Sequence, residues 1–540
     1  MKTLIVGGVA GGASAAVRLR RLNENAEIVI FEKGEYVSYA NCGLPYYISG
    51  VINDRKNLNV SSPEQLRNRF NIDVRTGNEV TSIDTEKMTV TVLNKATGET
   101  YEESYDDLIL APGASPVIPP FADTSEKRVF VLNDIPDTLK LRQYIEDLGV
   151  KKAVVVGGGF IGLETAENLV KAGIDTTIIE LQEHILPTID SDMAKLLENE
   201  VVANGVHLHT GEAVQDVEYG DRLKVKTDKG EYETELLFLS LGVRPNTKFV
   251  PDTIEKNQRG AIITDEHMRT SAPHVYAVGD AVTVRNFVDE TIDYVPLAGP
   301  ANKQGRIAAN NIEGLPDTYK GTQGSSIIKL FDKVVARTGL GEKRAKNAFK
   351  SYTLPFSHAT YYPGAKQMVL KLIVDKDTEC LLGAQAIGSE GVDKRIDVLA
   401  TAIRAHMPIC DIEELELCYA PPFSSAKDPV NLAANTAENI IEGLFEPFYP
   451  EEVKELQKKG EYILDVRTVP EHERGNISDN CIPLDQLRGS LDKLPKDRTI
   501  YVHCQVGLRG YLACRILMQN GFKCKNLSGG YSLYHQLYEI

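Results

Sequence analysis

What the chain lacks narrows its chemistry before any motif is read. No apolar run approaches the ~20 residues that cross a bilayer. The opening Lys2-Thr3-Leu4-Ile5-Val6 lacks the basic start, apolar core and small-residue cleavage site of a secretory signal. Positive charge is short: 60 Lys and Arg stand against 76 Asp and Glu, a formal charge of -16. That balance excludes a general nucleic-acid or membrane-surface binder. Eight cysteines are scattered over 540 residues, without the spacing of a disulfide framework or a zinc site. The expectation is a soluble cytoplasmic protein with reduced thiols and no metal, built from roughly three to five domains.

The missing partner thiol matters most at Ser38-Tyr39-Ala40-Asn41-Cys42-Gly43-Leu44-Pro45, because the next cysteine is Cys380. Cys42 must therefore work alone, through a mixed disulfide, a persulfide or a sulfenic acid. Upstream, the apolar run 3–6 leads into Gly7-Gly8-Val9-Ala10-Gly11-Gly12, a helix over 13–22 and a strand over 27–31 ending at Glu32. Strand, glycine turn, helix, strand and acid are the order of a dinucleotide site. Helix amides hold the pyrophosphate there, and the acid holds a ribose diol. Val9 stands where the middle glycine usually does. Arg18 and Arg21 share one helix face, either as a solvated basic face or as an anion clamp for a phosphorylated substrate.

The same device recurs. A strand over 153–156 meets Gly157, Gly159 and Gly162, a helix over 163–172, a strand over 176–179 and Glu180, 23 residues past Gly157. A carboxylate there accepts from both ribose hydroxyls and repels a 2′-phosphate, and Leu181 supplies no cation, so NADH is favoured over NADPH. Asp107 to Ala114 resembles the crossover of flavoprotein disulfide reductases, and Val275 to Ala281, closed by Gly279-Asp280, resembles the flavoprotein motif whose Asp meets the ribityl and phosphate part of FAD. Two such sites describe an enzyme that passes electrons from NADH through FAD to Cys42.

From about Gly324 the glycine turns stop. Strands over 325–331, 368–374 and 381–387 read as an antiparallel sheet, followed by a helix over 392–405 and a proline-stiffened loop over 417–429. Cys418 in that loop reads as a small core residue. Residues 442–450 read as a linker. Beyond it, strands over 462–467 and 499–503 precede a cysteine loop and a helix over 511–518. Loop amides and the helix dipole stabilise a Cys504 thiolate, and Arg509 adds positive charge. Asp465-Val466-Arg467, Cys504 with Gly507 and Arg509, and Ser528-Gly529-Gly530-Tyr531 resemble a rhodanese domain. Tyr531 replaces the usual Trp and Asn476 the usual His. The loop of a Cys-based phosphatase is typically one residue longer, which favours a persulfide carrier.

Ser38 to Tyr47, Tyr361-Tyr362-Pro363-Gly364 and Tyr419 through Lys427 resemble the coenzyme A-disulfide reductases among the pyridine nucleotide-disulfide oxidoreductases, over residues 1–445. The resemblance implies that Cys42 attacks a CoA disulfide or persulfide, flanked by Tyr361 and Tyr419 of a partner subunit in a homodimer. It implies CoA contacts at Ser14, Arg18, Arg21, Ser38, Asn41, Asn302 and Lys427, which favours the clamp reading of the arginines. Cofactor contacts follow at Gly7, Gly8, Ala10, Gly12, Glu32, Lys33, Ala111, Gly113, Gly242, Gly279, Asp280, Pro296, Leu297 and Ala298, besides Gly157, Gly159, Gly162 and Glu180. The implied fold is α/β, with two Rossmann-like dinucleotide-binding domains, an α+β dimerisation domain and an α/β rhodanese domain. Their expected bounds are 1–112 with 245–322 for FAD, 113–244 for NAD(H), 323–445 for dimerisation and 446–540 for the rhodanese. The attached rhodanese turns the expectation toward persulfide or polysulfide. Two other readings compete: an NADH oxidase using a Cys42 sulfenic acid, weakened by Ala10 where such enzymes carry His, and a non-enzymatic thiol sensor, disfavoured by two complete dinucleotide sites.

Overall fold

The computed structural model describes residues 1–539 and divides into two compact units. The first comprises 1–185 and 204–322; the second comprises 186–203 and 323 onward. In the first unit β1 (Lys2–Val6), α1 (Ala10–Leu22), β2 (Glu27–Glu32), β3 (Asp73–Thr76) and β4 (Asp107–Leu110) open the chain. The device repeats as β5 (Lys152–Val156), α2 (Phe160–Lys171), β6 (Asp175–Glu180), β7 (His207–Thr210) and β8 (Leu236–Leu239), and β9 (Val275–Ala277) returns to the first sheet before α3 (Ala298–Ile312). The strand orders are β9-β4-β1-β2-β3 and β7-β6-β5-β8 followed by the short strand Val129–Phe130. Their pairings are parallel throughout. Parallel strands covered on both faces must be apolar along their length, and Leu4, Ile5, Leu108, Ile109 and Leu110 are wholly buried.

Both central turns close in the same way. Gly7 has φ +97, and a Cβ there would lie 2.0 Å from the carbonyl oxygen of Ala111; at Gly157 φ is +106 and the clash is with Ser240. Only glycine fits either turn. The strand-end acids then bind the turns: Glu32 accepts from the N–H of Gly8 at 3.0 Å, and Glu180 from the N–H of Gly158 at 2.5 Å.

The second unit carries an antiparallel sheet of β10 (Ser326–Leu330), β11 (Lys333–Gly339), β12 (Ala348–Thr353), β13 (Val369–Asp375) and β14 (Leu381–Gly388), in the order β10-β11-β14-β13-β12. The amphipathic α4 (Val392–Arg404) packs on it, and α5 (Pro429–Ile441) follows. Sequence reading finds β10, β13, β14 and α4 but misses β11 and β12, which Lys333, Lys350 and other polar residues interrupt. The C-terminal sheet is parallel, β15 (Glu446–Phe448), β16 (Tyr462–Asp465), β17 (Ile500–His503) and β18 (Cys524–Leu527) in the order β15-β18-β17-β16. The expected linker 442–450 therefore holds a strand: β15 pairs with β18, and Phe448 is buried. Short helices α6 (Val469–Glu473), α7 (Leu508–Gln519) and α8 (Gly530–Tyr538) complete this part.

Residues 186–203, which lie within the expected NAD(H) bounds, make most of their contacts with the second unit. Lys371, fully buried on β13, explains it: its ammonium meets Asp190 at 2.8 Å, Asp192 at 2.9 Å and Glu342. Burial pulls this lysine down, but the carboxylates of Asp192, Asp190 and Glu342 outweigh it and hold the ammonium above its ordinary value. The same cluster reaches the C-terminal part. Tyr352 donates its hydroxyl to Asp192 and its backbone N–H to Ser528 at 3.0 Å, and Lys350 bridges Glu342 at 3.0 Å and Glu451 at 2.7 Å. Asn199 donates to the carbonyl of Gln536 at 2.7 Å.

Replacing Lys371→Met keeps the volume but leaves Asp190 and Asp192 without their cation, while Glu342 keeps Lys350. We expect the second unit to lose about 3 kcal/mol, read as a lower urea midpoint of its unfolding transition. An unchanged midpoint would show that the cluster does not hold the unit together.

Candidate active site

The glycine turns are built to receive phosphates. Gly12 and Gly162 serve internal packing, since a Cβ at either would lie within 2.0 Å of the carbonyl oxygen of Gly7 or Gly157; Gly159, by contrast, faces open space. Its missing side chain clears the approach to the amino end of α2, where unpaired amides favour an anion. Ala10 begins α1, and Leu297 precedes the first residue of α3, Ala298, after Pro296. Gly113 and Gly242 take positive φ beside open space, flanking the paired crossover strands Ala114–Pro116 and Val243–Pro245. Ala111 donates to Val6 at the end of β4, and Lys33 is exposed beyond Glu32. Gly279-Asp280 closes β9. The Asp280 carboxylate, raised by burial, accepts no protein hydrogen bond among the described residues, which suits an incoming ribityl hydroxyl. These residues fit FAD at the first site and NADH at the second.

Cys42 sits in a single helical turn, Asn41–Gly43, ahead of the helix Leu44–Ile48, whose Leu44 and Ile48 are buried anchors. The loop before it is over-determined. Ser38 holds φ 47, a left-handed value uncommon outside glycine, while its N–H donates to Gly8 and its carbonyl accepts from Val60 and Ser61. Such imposed strain collects at functional loops. The Cys42 sulfur reaches solvent, yet protein crowds one side of it. Burial first, then the carboxylates of Glu164 and Asp280, push the thiol above its ordinary value. Glu164, on α2, is itself pushed up to about 7 by burial, against the hydroxyl that Tyr46 donates at 3.1 Å.

Ser14, Arg18, Arg21, Ser38 and Asn302 line one cleft of about 340 Å³, together with Arg306. Ser14 donates to Asn302 at 2.7 Å, and Arg18 to Asn310 at 2.7 Å. Burial and the repulsion of Arg306 and Arg21 hold Arg18 below its ordinary value. None of the three guanidiniums has a carboxylate in ion-pair range among the described residues. Asp317, which shares Asn310 with Arg18, offsets the repulsion only in part, and converging cations with no ion-pair partner favour an anion. Arg18 and Arg21 thus lie together with Arg306 in one cleft. Asn41 is exposed beside Cys42, outside the lining.

In the second unit Tyr361 and Tyr419 are 73% and 48% exposed, and their hydroxyls meet at 2.8 Å. Exposed tyrosines sharing a hydrogen bond are poised for a contact outside this chain. Arg395, almost wholly buried on α4, ties their loops together. It donates to the Ser357 carbonyl at 3.0 Å on one side, and to Phe423 at 3.3 Å and the Asp428 carboxylate at 3.0 Å on the other. Lys427, one residue before Asp428, is exposed. Cys418, expected in the core, is exposed too, because the proline-stiffened loop runs along the surface.

Cys504 is 1% exposed at the end of β17, and the N–H of Gly507 donates to its sulfur at 3.2 Å. Gly507 has φ +105, which a side chain would strain. Arg467 is locked to Asp465 at 2.7 Å and lies 4.1 Å from the centre of the Tyr531 ring. The Tyr531 hydroxyl donates to Glu539 at 3.1 Å. Arg509 is gripped by Glu471 at 2.6 and 2.8 Å, so the positive charge it brings to the loop is shared with that carboxylate.

Sequence reading missed Arg306, Glu164 and Tyr46. Arg306 follows Asn302 by one helical turn, the single signal that could have found it. Tyr46 lies inside the Ser38 to Tyr47 stretch without a role of its own in the resemblance, and Glu164 carries no motif signal.

Three comparisons extend the geometry. The pyridine nucleotide-disulphide oxidoreductase model matches residues 1–305, its dimerisation domain 325–429 and a rhodanese-like domain 449–537. Coenzyme A disulfide reductase of Staphylococcus epidermidis is 36% identical over 443 residues, 81% of this chain and 100% of that protein. The crystal structure of reduced Bacillus anthracis CoADR-RHD is 44% identical, covering 100% of this chain and 98% of that one at a TM-score of 0.97. A NAD-dependent persulfide reductase from A. fulgidus is 37% identical, covering 99% and 100% at 0.92, whereas the water-forming NADH oxidase from Lactobacillus brevis is 30% identical and covers 82% of this chain and 99% of its own at 0.78. The chain is an enzyme of the pyridine nucleotide-disulphide oxidoreductase family, carrying a rhodanese-like domain at its carboxyl end.

Proposed function

We propose that this enzyme uses NADH to reduce coenzyme A disulfide or coenzyme A persulfide at Cys42, with Cys504 as a carrier of sulfane sulfur. One observation carries the reading: a lone redox thiol shares its loop with Ser38, which lines a cleft of three unpaired arginines. The relatives named above for these substrates support it. CoA bears a 3′-phosphate and a pyrophosphate at one end and a sulfur at the other. The cleft suits the first end and Cys42 the second.

When bound, the flavin supplies the two-electron chemistry that returns Cys42 to its thiolate at the expense of NADH. The protein's residues do the rest. Arg18, Arg21 and Arg306 hold the phosphates, and Asn302 and Ser14 orient the nucleotide end. The Cys42 thiolate attacks one sulfur of the disulfide; a Cys42–S–S–CoA bond forms, the CoA–S–S–CoA bond breaks, and CoA thiolate leaves. With CoA persulfide the leaving group is hydrosulfide. Glu164, titrating near neutrality beside this sulfur, can hold a proton for the departing thiolate. Dioxygen has no use for an arginine cleft, which argues against the oxidase reading. The dimerisation domain and the exposed Tyr361–Tyr419 pair support assembly of two copies, with the partner's tyrosines over Cys42. Eight free cysteines suit a reducing compartment such as the cytoplasm. Polysulfide is a further acceptor of the same chemistry.

The test is NADH consumption with CoA disulfide, CoA persulfide or oxygen alone. Cys42→Ser should abolish turnover of both CoA substrates; full activity in that variant would overturn the reading. Arg306→Ala should raise the KM for CoA disulfide about tenfold and leave kcat nearly unchanged, the signature of lost ground-state anion binding. A fall in kcat at constant KM would place Arg306 elsewhere in the reaction.

A further inference from the structure

The loop that carries Cys504 is held from β18 by a buried side chain outside the sites already described. Asn526 lies on that strand opposite Val502 of β17 and is 4% exposed. Its side-chain amide donates to the carbonyl of Gly507 at 3.1 Å. The same carbonyl accepts the N–H of Tyr511 at 2.9 Å, a hydrogen bond of the first turn of α7. From its other side Gly507 gives its own N–H to the Cys504 sulfur at 3.2 Å. Gly507 stands at φ 105 and ψ -33, a conformation open to glycine and strained for other residues. The same freedom means that glycine does not hold this conformation by itself. If its peptide rotated, the sulfur would lose its donor.

Gly510 shows what the contact demands of its surroundings. It is buried on α7, and a Cβ there would lie 2.1 Å from Oδ1 of Asn526 and 3.1 Å from its Cγ. Glycine weakens a helix relative to alanine, so its place in the first turn calls for a compensating contact. The space that a Cβ would take is the space beside the Asn526 amide. That amide is not there to complete its own bonding. Its Oδ1 is buried and accepts no hydrogen bond among the described residues, a cost that an apolar residue of the same size would avoid. What sets asparagine apart from such a residue is the bond to Gly507.

We propose that Asn526 is a positioning residue for the Cys504 thiolate: it fixes the Gly507 peptide so that its N–H faces the sulfur, and Gly510 leaves room for it. An amide held on the sulfur favours the charged form over the neutral thiol. Loss of the hold therefore lowers the thiolate population while the cysteine itself stays in place. The inference deepens the reading of Cys504 as a sulfur carrier and rests on that reading for the use made of the thiolate.

The test is alkylation of the full-length enzyme by iodoacetamide, followed by mass spectrometry of the tryptic peptide 499–509, in which Cys504 is the only cysteine. At about pH 7, Asn526→Ala should slow labelling of Cys504 about tenfold, the scale of one hydrogen bond to a charged group. The deficit should shrink as the pH rises to about 9.5, where ionisation depends less on the amide. Gly510→Ala provides a second variant. Alanine favours the helix, yet its Cβ displaces the Asn526 amide and should slow labelling by a similar factor. The double variant should be no slower than Asn526→Ala alone, because the two changes remove one shared contact. Unchanged labelling in both single variants, or a deficit that is the same at every pH, would overturn the role of Asn526. The carrier reading is tested apart from this, by exposing the unaltered enzyme to inorganic polysulfide. A Cys504 peptide that gains no sulfur would overturn that reading, while the alkylation rates alone decide the role of Asn526.

Discussion

The peptide group of Gly8 joins the two halves of the reductase site. Its N–H is given to Glu32, closing the nucleotide turn, and its carbonyl accepts the N–H of Ser38, starting the loop that carries Cys42. A side chain at Gly8 would press on Val37 at 2.7 Å, so the close approach requires glycine. Because one peptide serves both partners, the distance between the nucleotide turn and the thiol loop is fixed by backbone geometry and does not depend on long side chains. The left-handed Ser38 follows from this constraint. Its backbone is held from both sides, by Gly8 and by Val60 and Ser61, and the chain turns there toward Asn41 and Cys42.

Charge distribution separates the sulfur sites. At Cys42 burial first, then the carboxylates of Glu164 and Asp280, raise the thiol, while three arginines with no carboxylate in ion-pair range gather in the cleft lined by Ser38. In the proposed function these cations take the phosphates, and the carboxylates lie where a proton would be exchanged. At Cys504 the pattern is inverted: each guanidinium is paired, Arg467 with Asp465 and Arg509 with Glu471. Thiolate stabilisation falls to the Gly507 amide and the amino end of α7. The two cysteines therefore lie in opposite charge surroundings, free guanidinium groups near the first and paired ones near the second. In the second unit, the buried Lys371 cluster draws the segment 186–203, the antiparallel sheet and the C-terminal sheet into one body.

Much of this was legible in the sequence, for identifiable reasons. Glycine turns between apolar strands and strand-end acids leave a pattern that local sterics enforce, so β1, β2, β5, β6 and their helices are read within a few residues. Ser14, Arg18, Arg21, Ser38 and Asn302 were expected from resemblance, and the fold gathers them into one cleft. What escaped was set by long-range packing. Arg306 acquires its role only when α3 lies against α1. β15 looks like a linker because three residues with a central proline form a strand only beside β18. The Glu471 partner of Arg509 comes with α6, and the contacts of residues 186–203 with Lys371 come with β13. Cys418 looks like core because small thiols usually are, but its loop is held at the surface.

The central claim is that Cys42 forms its covalent partnership with the thiol of CoA. The most direct measurement is intact and peptide mass spectrometry of the full-length flavoenzyme, reduced with NADH under anaerobic conditions and then mixed with CoA disulfide. The account predicts one CoA per chain, joined to Cys42 through a disulfide and released by a second addition of NADH. A stable enzyme free of CoA at Cys42 while CoA disulfide is turning over, or CoA carried instead on the exposed Cys410 or Cys418, would contradict it.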